Sequence, residues 1–264
     1  MAALSFIMLP GPMASQETTK KQMDEAKKDA DNKDYLVALK KYKHILETIK
    51  GGDLEGEALF FFGYAADKAA LDLMFESSKD FRKEGKDPIT NEVLASWEGL
   101  KPYRELGIIY TIEHNIPYLY DGEAYRRLLL KHPGSPWACG AKFMLFLIEL
   151  KKKQGDSRSP IDDLLQLVKT AEKYYAECHI PEIQAEILAF LKDRYNNLKS
   201  NTMYKESPYF DLKKAEEYLN KAEEICRIIL AKFPNSKIAV DAEYCLKKLF
   251  IKDREIIKNG GIRK

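Results

Sequence analysis

The residues able to do chemistry are few and scattered. The chain has four histidines, His44, His114, His132 and His179. No two stand at the spacing that would put a pair of imidazoles on one helical face toward a metal. Cys178 and His179 are adjacent, so on a helix their side chains diverge by about 100° and cannot aim at one ion. His132 precedes Pro133 at a helix end, where its ring reads as a partner for the last carbonyls. No glycine-rich phosphate loop and no serine nucleophile elbow is written anywhere in the chain. The acidic pairs Glu216–Glu217 and Glu223–Glu224 sit on an amphipathic stretch and read as a solvated face. The sequence therefore assigns no catalytic residue, no metal ligand and no cofactor. A helical enzyme or small-ligand carrier, with its site assembled from distant helices, stays as an alternative class.

The aromatic residues carry more information. Trp97, Tyr103, Tyr110, Tyr118, Tyr120, Tyr125, Trp137, Phe143 and Phe146 crowd into one stretch. Tyrosine and tryptophan join apolar area to a hydrogen-bonding edge, which makes them anchors in protein-binding grooves and equally good packing between helices. Tyr118 and Tyr120 are the strongest binding candidates, because Asn115 to Gly122 reads as a loop with no helical stripe for their rings to join. Tyr110, Tyr125 and Trp137 complete the candidate partner-binding set, placed along a concave helical groove.

These candidates need elements to hold them, and from Glu17 onward the apolar residues recur at helical spacing, with almost nothing alternating like a strand. Met23, Ala26 and Ala30 mark a first helix, and Tyr35, Ala38, Leu39, Tyr42, Ile45 and Leu46 a second. Gly51 and Gly52 stop the second helix. A third runs through Ala58, Phe61, Ala65, Ala69 and Leu73, before a charged loop over Lys79 to Asn91. Leu94, Trp97, Leu100, Tyr103, Leu106, Ile109 and Ile112 predict one further helix, kinked at Pro102. Helices follow from about Gly122, Pro136, Ile161 and Pro181, and a last long pair spans Asp211 to Lys232 and Ser236 to Ile257.

Composition narrows the class. The 43 basic and 41 acidic residues are closely mixed and give a net charge of +2, which offers no case for nucleic acid. A hydrophobic fraction of 45% is enough for a substantial core. No segment reaches the roughly 20 apolar residues of a transmembrane helix. Ala2 to Leu9 is a short apolar run, followed by Pro-Gly-Pro and then Ala14 and Ser15, the shape of an export signal without a basic start. Residues 1–15 are thus a possible export signal or a loose N-terminus, and the location follows: periplasmic or otherwise exported, or else cytoplasmic. Cys226 and Cys245 fall on the two helices of the last pair, where they are either small core residues or a disulfide in an exported protein.

An internal match organises the rest. Leu129 to Ala141 reads Leu-Leu-Lys-His-Pro-Gly-Ser-Pro-Trp-Ala-Cys-Gly-Ala, and Leu230 to Ala242 reads Leu-Ala-Lys-Phe-Pro-Asn-Ser-Lys-Ile-Ala-Val-Asp-Ala. Pro133 aligns with Pro234, Ser135 with Ser236, Ala138 with Ala239 and Ala141 with Ala242. Proline ends one helix, serine caps the next, and the two alanines let helices approach. This resembles the tetratricopeptide-repeat superfamily, in the flavour of bacterial outer-membrane assembly lipoproteins and Tol-Pal coordinator proteins. The resemblance implies an all-α, right-handed stack of antiparallel helical hairpins, an α-solenoid, here with irregular insertions. It also implies a non-catalytic scaffold or adaptor that binds a peptide or partner subunit in a concave groove. A structural subunit of a larger or oligomeric assembly is the second expectation. The domain reading is one helical-repeat domain over 16–258, with a sub-boundary near 199–209 and a frayed tail at 259–264.

Overall fold

The computed structural model describes residues 16–84, 91–113, 116–153 and 161–262. The expected N-terminal export segment lies outside them. Helices dominate, in agreement with the all-α reading. The chain divides into two compact units, Met1–Gly155 and Asp156–Lys264. The 199–209 segment lies inside the second unit, where the helix expected to end near Leu198 continues to Met203.

In the first unit, α1 (Gln16–Asp31) packs on α2 (Tyr35–Thr48), and α2 on the long α3 (Gly52–Lys83). Gly51 and Gly52 both adopt positive φ, +82° and +77°, which turns the chain between α2 and α3 at a point where a side chain would be strained. Alanines at 58, 65, 66, 69 and 70 line the buried face of α3 and allow close approach by its neighbours. The helix runs ten residues beyond Leu73, into the stretch expected as loop.

The long helix expected from Glu92 to Ile112 is not formed. In its place stand α4 (Asn91–Ser96), a single 3-10 turn at Glu98–Leu100, α5 (Lys101–Glu105), and then strand β1 (Tyr110–Glu113). Gly107, at φ +80°, breaks the periodicity before the β-branched and aromatic residues that follow. β1 pairs antiparallel with β2 (Ile116–Tyr120), Tyr110 opposite Tyr120 and Thr111 opposite Leu119, with an irregularity before Glu113 pairs with Ile116. The segment expected as a loop bearing Tyr118 and Tyr120 is therefore a strand, and β2 lies against α3. α6 (Glu123–Lys131) and α7 (Ala138–Lys153) complete this unit.

The turn between α6 and α7 clamps a buried carboxylate. Glu55 at the start of α3 accepts from the Gly51 N–H and from Lys131 Nζ at 3.0 Å, and His132 Nε2 lies 3.2 Å away without hydrogen-bond alignment. The His132 ring thus faces a carboxylate rather than the carbonyls expected from sequence. Burial pushes the Glu55 carboxyl up, but the Gly51 N–H and the Lys131 ammonium outweigh it and hold the pKa below the usual range. A depressed folded-state pKa adds stability above the unfolded value of about 4.3, and this is lost as pH falls through the folded value. Acid unfolding of wild type should therefore be steeper than that of Glu55→Gln below about pH 5, as read by helical circular dichroism. Parallel acid limbs would remove the clamp's role.

The second unit holds α8 (Ile161–Glu177), α9 (Pro181–Met203), α10 (Leu212–Lys232), α11 (Lys237–Tyr244) and α12 (Phe250–Lys258). α9 packs against both α8 and α10, and α10 against α11 and α12. Asp211 caps α10 by accepting from the Lys213 and Lys214 amides, and Ser236 caps α11 through the Ala239 amide. A π-helical turn, Cys245–Leu249, joins α11 to α12, with the Phe250 N–H reaching back to the Cys245 carbonyl. Two buried lysines of α9 meet these two helices: Lys192 pairs with Asp241 of α11 and Lys199 with Asp253 of α12.

Of the tail expected to fray, residues 259–262 are described. Gly260 and Gly261, at φ +88° and +89°, reverse the chain, and the Ile262 N–H donates to Met203 O while its carbonyl accepts from Lys205 N. A Cβ on Gly261 would come within 2.7 Å of that Met203 oxygen, so this close return needs glycine.

The two matched stretches have the same backbone pattern. His132 N donates to Leu128 O, Ser135 N to His132 O and Ala138 N to Ser135 O. Phe233 N donates to Ile229 O, Ser236 N to Phe233 O and Ala239 N to Ser236 O. The four aligned alanines are all buried.

Candidate functional site

The aromatic residues singled out in the sequence do come together, but as core. Tyr118, Tyr120 and Tyr125 are only 2%, 1% and 0% exposed. Their rings form a run of contacts: Tyr110 against Tyr118 and Tyr120, both at 6.4 Å, Tyr120 against Tyr125 at 6.0 Å, and Tyr125 against Phe60 at 5.8 Å. Phe60 in turn meets Trp137 at 5.2 Å. Gly63 makes the approach of Tyr125 to α3 possible, since a Cβ there would lie 2.8 Å from the ring. The hydroxyls are used internally: Tyr110 donates to Ala66 O at 2.9 Å, Tyr118 to Leu94 O at 3.4 Å, and Tyr120 accepts from Ala124 N at 2.8 Å. Burial raises the pKa of all three phenols, so each stays protonated. Tyr118 and Tyr120 were expected as free loop rings; strand pairing and packing on α3 place them inside instead. Tyr110 and Trp137 are half-buried.

An open groove lies in the second unit. Leu165, Val168, Lys169 and Glu172 follow one face of α8 at helical spacing, and Glu217, Tyr218, Asn220, Lys221 and Glu224 descend α10. Between them Tyr195 of α9 forms the floor of a groove of about 570 Å³. Tyr195 is 8% exposed, and its hydroxyl donates to Glu172 Oε1 at 2.9 Å. Burial first, then the Glu172 carboxylate, raises its pKa, so it remains a donor. The Tyr218 ring stands 6.3 Å from the Tyr195 ring, and Lys221 pairs with Glu224 at 3.2 Å.

The paired glutamates of α10 divide between two tasks. Neighbours on a helix point about 100° apart. Glu216 and Glu223 turn to Arg254 of α12, at 3.7 and 2.5 Å, while Glu217 and Glu224 line the groove. A uniform solvated face does not describe this helix. The signal for the groove was present in sequence as Glu172, Tyr195, Glu217 and Tyr218, but it depends on which helices are neighbours.

Chemically the groove combines apolar side chains, two phenol rings and mixed charge. Cys226 and Cys245, nearby in the same unit, are buried free thiols. Burial pushes Cys226 up to about 12 and raises Cys245, which disfavours the reactive thiolate and fits the small-core reading. Among the described residues no group of three or more His, Cys, Asp or Glu is placed to hold a metal, and no helix is long and apolar enough to cross a membrane. No protein-family model matches the chain, and no curated protein matches it significantly.

Proposed function

We propose that this protein is a scaffold or adaptor whose second unit binds a segment of another protein in the groove between α8 and α10. In this reading α8–α9 and α10 with the final helix are two tetratricopeptide-like hairpins, and the protein works in the cell envelope after export. The observation that carries the binding proposal is the groove itself: an aromatic floor, a side chain from each of three helices and a charged rim. The matched turns at Leu129–Ala141 and Leu230–Ala242 support the hairpin reading.

A photo-crosslinking amino acid at Lys169, in the groove, should capture one protein in native cells. The same group at Lys248, exposed on the π turn, should not. Tyr218→Ala should abolish the capture while leaving the circular dichroism unchanged. Equal capture from both positions, or survival of the crosslink in Tyr218→Ala, would remove the groove from the function. Sequencing the N-terminus of the protein from the same cells tests export: a start beyond residue 15 supports signal cleavage.

A second reading, a structural subunit that assembles through apolar faces, is favoured by one observation. Val240, Tyr244 and Ile251 stand well exposed along α11 and α12. A solution mass above the monomer that returns to 30.4 kDa in Val240→Lys/Ile251→Lys would support it; a monomeric wild type would not.

A further inference from the structure

We propose that the occupant of the groove is a peptide segment anchored by a lysine or arginine side chain, laid over Tyr195 and Tyr218 with its cationic head between Glu172 and Glu217. This rests on the reading of the groove as a protein-binding site. The charges around the groove are unevenly satisfied. Lys221 is occupied by Glu224 at 3.2 Å. Glu172 accepts from the Tyr195 hydroxyl at 2.9 Å, a neutral donor that leaves its charge unbalanced. Glu217 has no cation within ion-pair distance among the described residues, unlike Glu216 and Glu223, which share Arg254. Among the described residues that line the groove, Lys169 is the one cation left over, so two carboxylates face one ammonium.

The aromatic floor adds to the selectivity. Tyrosine faces attract cations electrostatically, and the apolar stem of lysine or arginine covers ring surface while its head stays polar. The unit already contains a cation against an aromatic ring, with the Arg194 guanidinium carbon 4.8 Å from the Phe190 ring centroid. Leu165 and Val168 supply an apolar neighbour for the flanking residue of the peptide. An acidic anchor would meet Glu172 and Glu217 and be repelled.

The test is selection of a displayed random-peptide library on the full chain, with Leu165→Glu as the variant that blocks the groove. Circular dichroism first establishes that the variants keep their helix content. The expected result is a set of peptides sensitive to Leu165→Glu and sharing a lysine or arginine. Replacing that residue by norleucine should weaken binding to wild type by about tenfold, and by less than about twofold in Glu172→Gln/Glu217→Gln. Groove-dependent peptides without a shared base, or a norleucine effect undiminished in the glutamine variant, overturn the cationic anchor while leaving the groove as a binding site. If no selected peptide responds to Leu165→Glu, both the anchor and the groove reading fall.

Discussion

Asp253→Ala should lower the stability of the protein by about 3–5 kcal/mol, because it strands a buried ammonium. Lys199 is 3% exposed and Asp253 7%, and the two are paired between α9 and α12. The other neighbours of the ammonium are the Asn196 amide oxygen at 3.5 Å and the Phe250 ring at 5.7 Å, neither of which can neutralise it. The loss measures a charge left without its partner, not the net worth of the pair. Replacing both, as Lys199→Met/Asp253→Leu, should bring stability back to wild type or above it, since the desolvation of two ions disappears together with their attraction. Urea unfolding followed by circular dichroism distinguishes these outcomes. If Asp253→Ala changes stability by less than about 1 kcal/mol, water reaches the pair and it does not hold α9 to α12.

Tyr125→Ala should cost about 3–5 kcal/mol, in the range of other large aromatic truncations in a core. Its ring fills the space left by Gly63, and it touches Phe60 and Tyr120, so removal opens a cavity that α3 and α6 cannot collapse without moving backbone. The readout is the urea midpoint of the full chain, with Tyr110→Phe as a milder comparison that deletes only the hydroxyl bonded to Ala66 O. A midpoint for Tyr125→Ala within error of wild type would mean the ring is not packed as described. This also governs how binding data on Tyr118 and Tyr120 variants are interpreted. Lost capture there follows from a damaged core, whereas a Tyr218 variant tests a half-buried ring at a groove wall.

Helix positions were legible in the sequence wherever an apolar stripe was bounded by a chemical stop. The last pair, read as Asp211 to Lys232 and Ser236 to Ile257, appears as α10 and as α11 through α12, because Asp211 and Ser236 are caps that the sequence spells out. Between Glu92 and Ile112 the same method failed. Leu100, Tyr103, Leu106 and Ile109 keep helical spacing across Gly107, and periodicity does not weigh a single left-handed residue. The better signal was composition: Ile108 to Ile112 and Ile116 to Tyr120 are rich in β-branched and aromatic residues, the pattern of a hairpin.

The candidate site was less legible than the fold. Aromatic density marked a real cluster, but density cannot separate a core from a groove, since both select large rings with polar edges. Tyr118 and Tyr120 join no helical stripe, yet both stand on β2 and are buried. The groove residues come from three helices spread between Leu165 and Glu224, and their convergence follows from α9 lying against both α8 and α10. No spacing rule within one helix contains that information.

The π turn at Cys245–Leu249 acts as a phase corrector. Asp241 and Asp253 are twelve positions apart, which in an unbroken α-helix would set them roughly 120° out of phase, while Lys192 and Lys199 on α9, seven apart, are nearly aligned. The wider turn absorbs one residue, so the two aspartates act as if eleven apart and return to within about 20° of one meridian. Both can then face the lysine row of α9. Removing one residue from this turn would rotate α12 and carry Asp253 away from the lysine it neutralises.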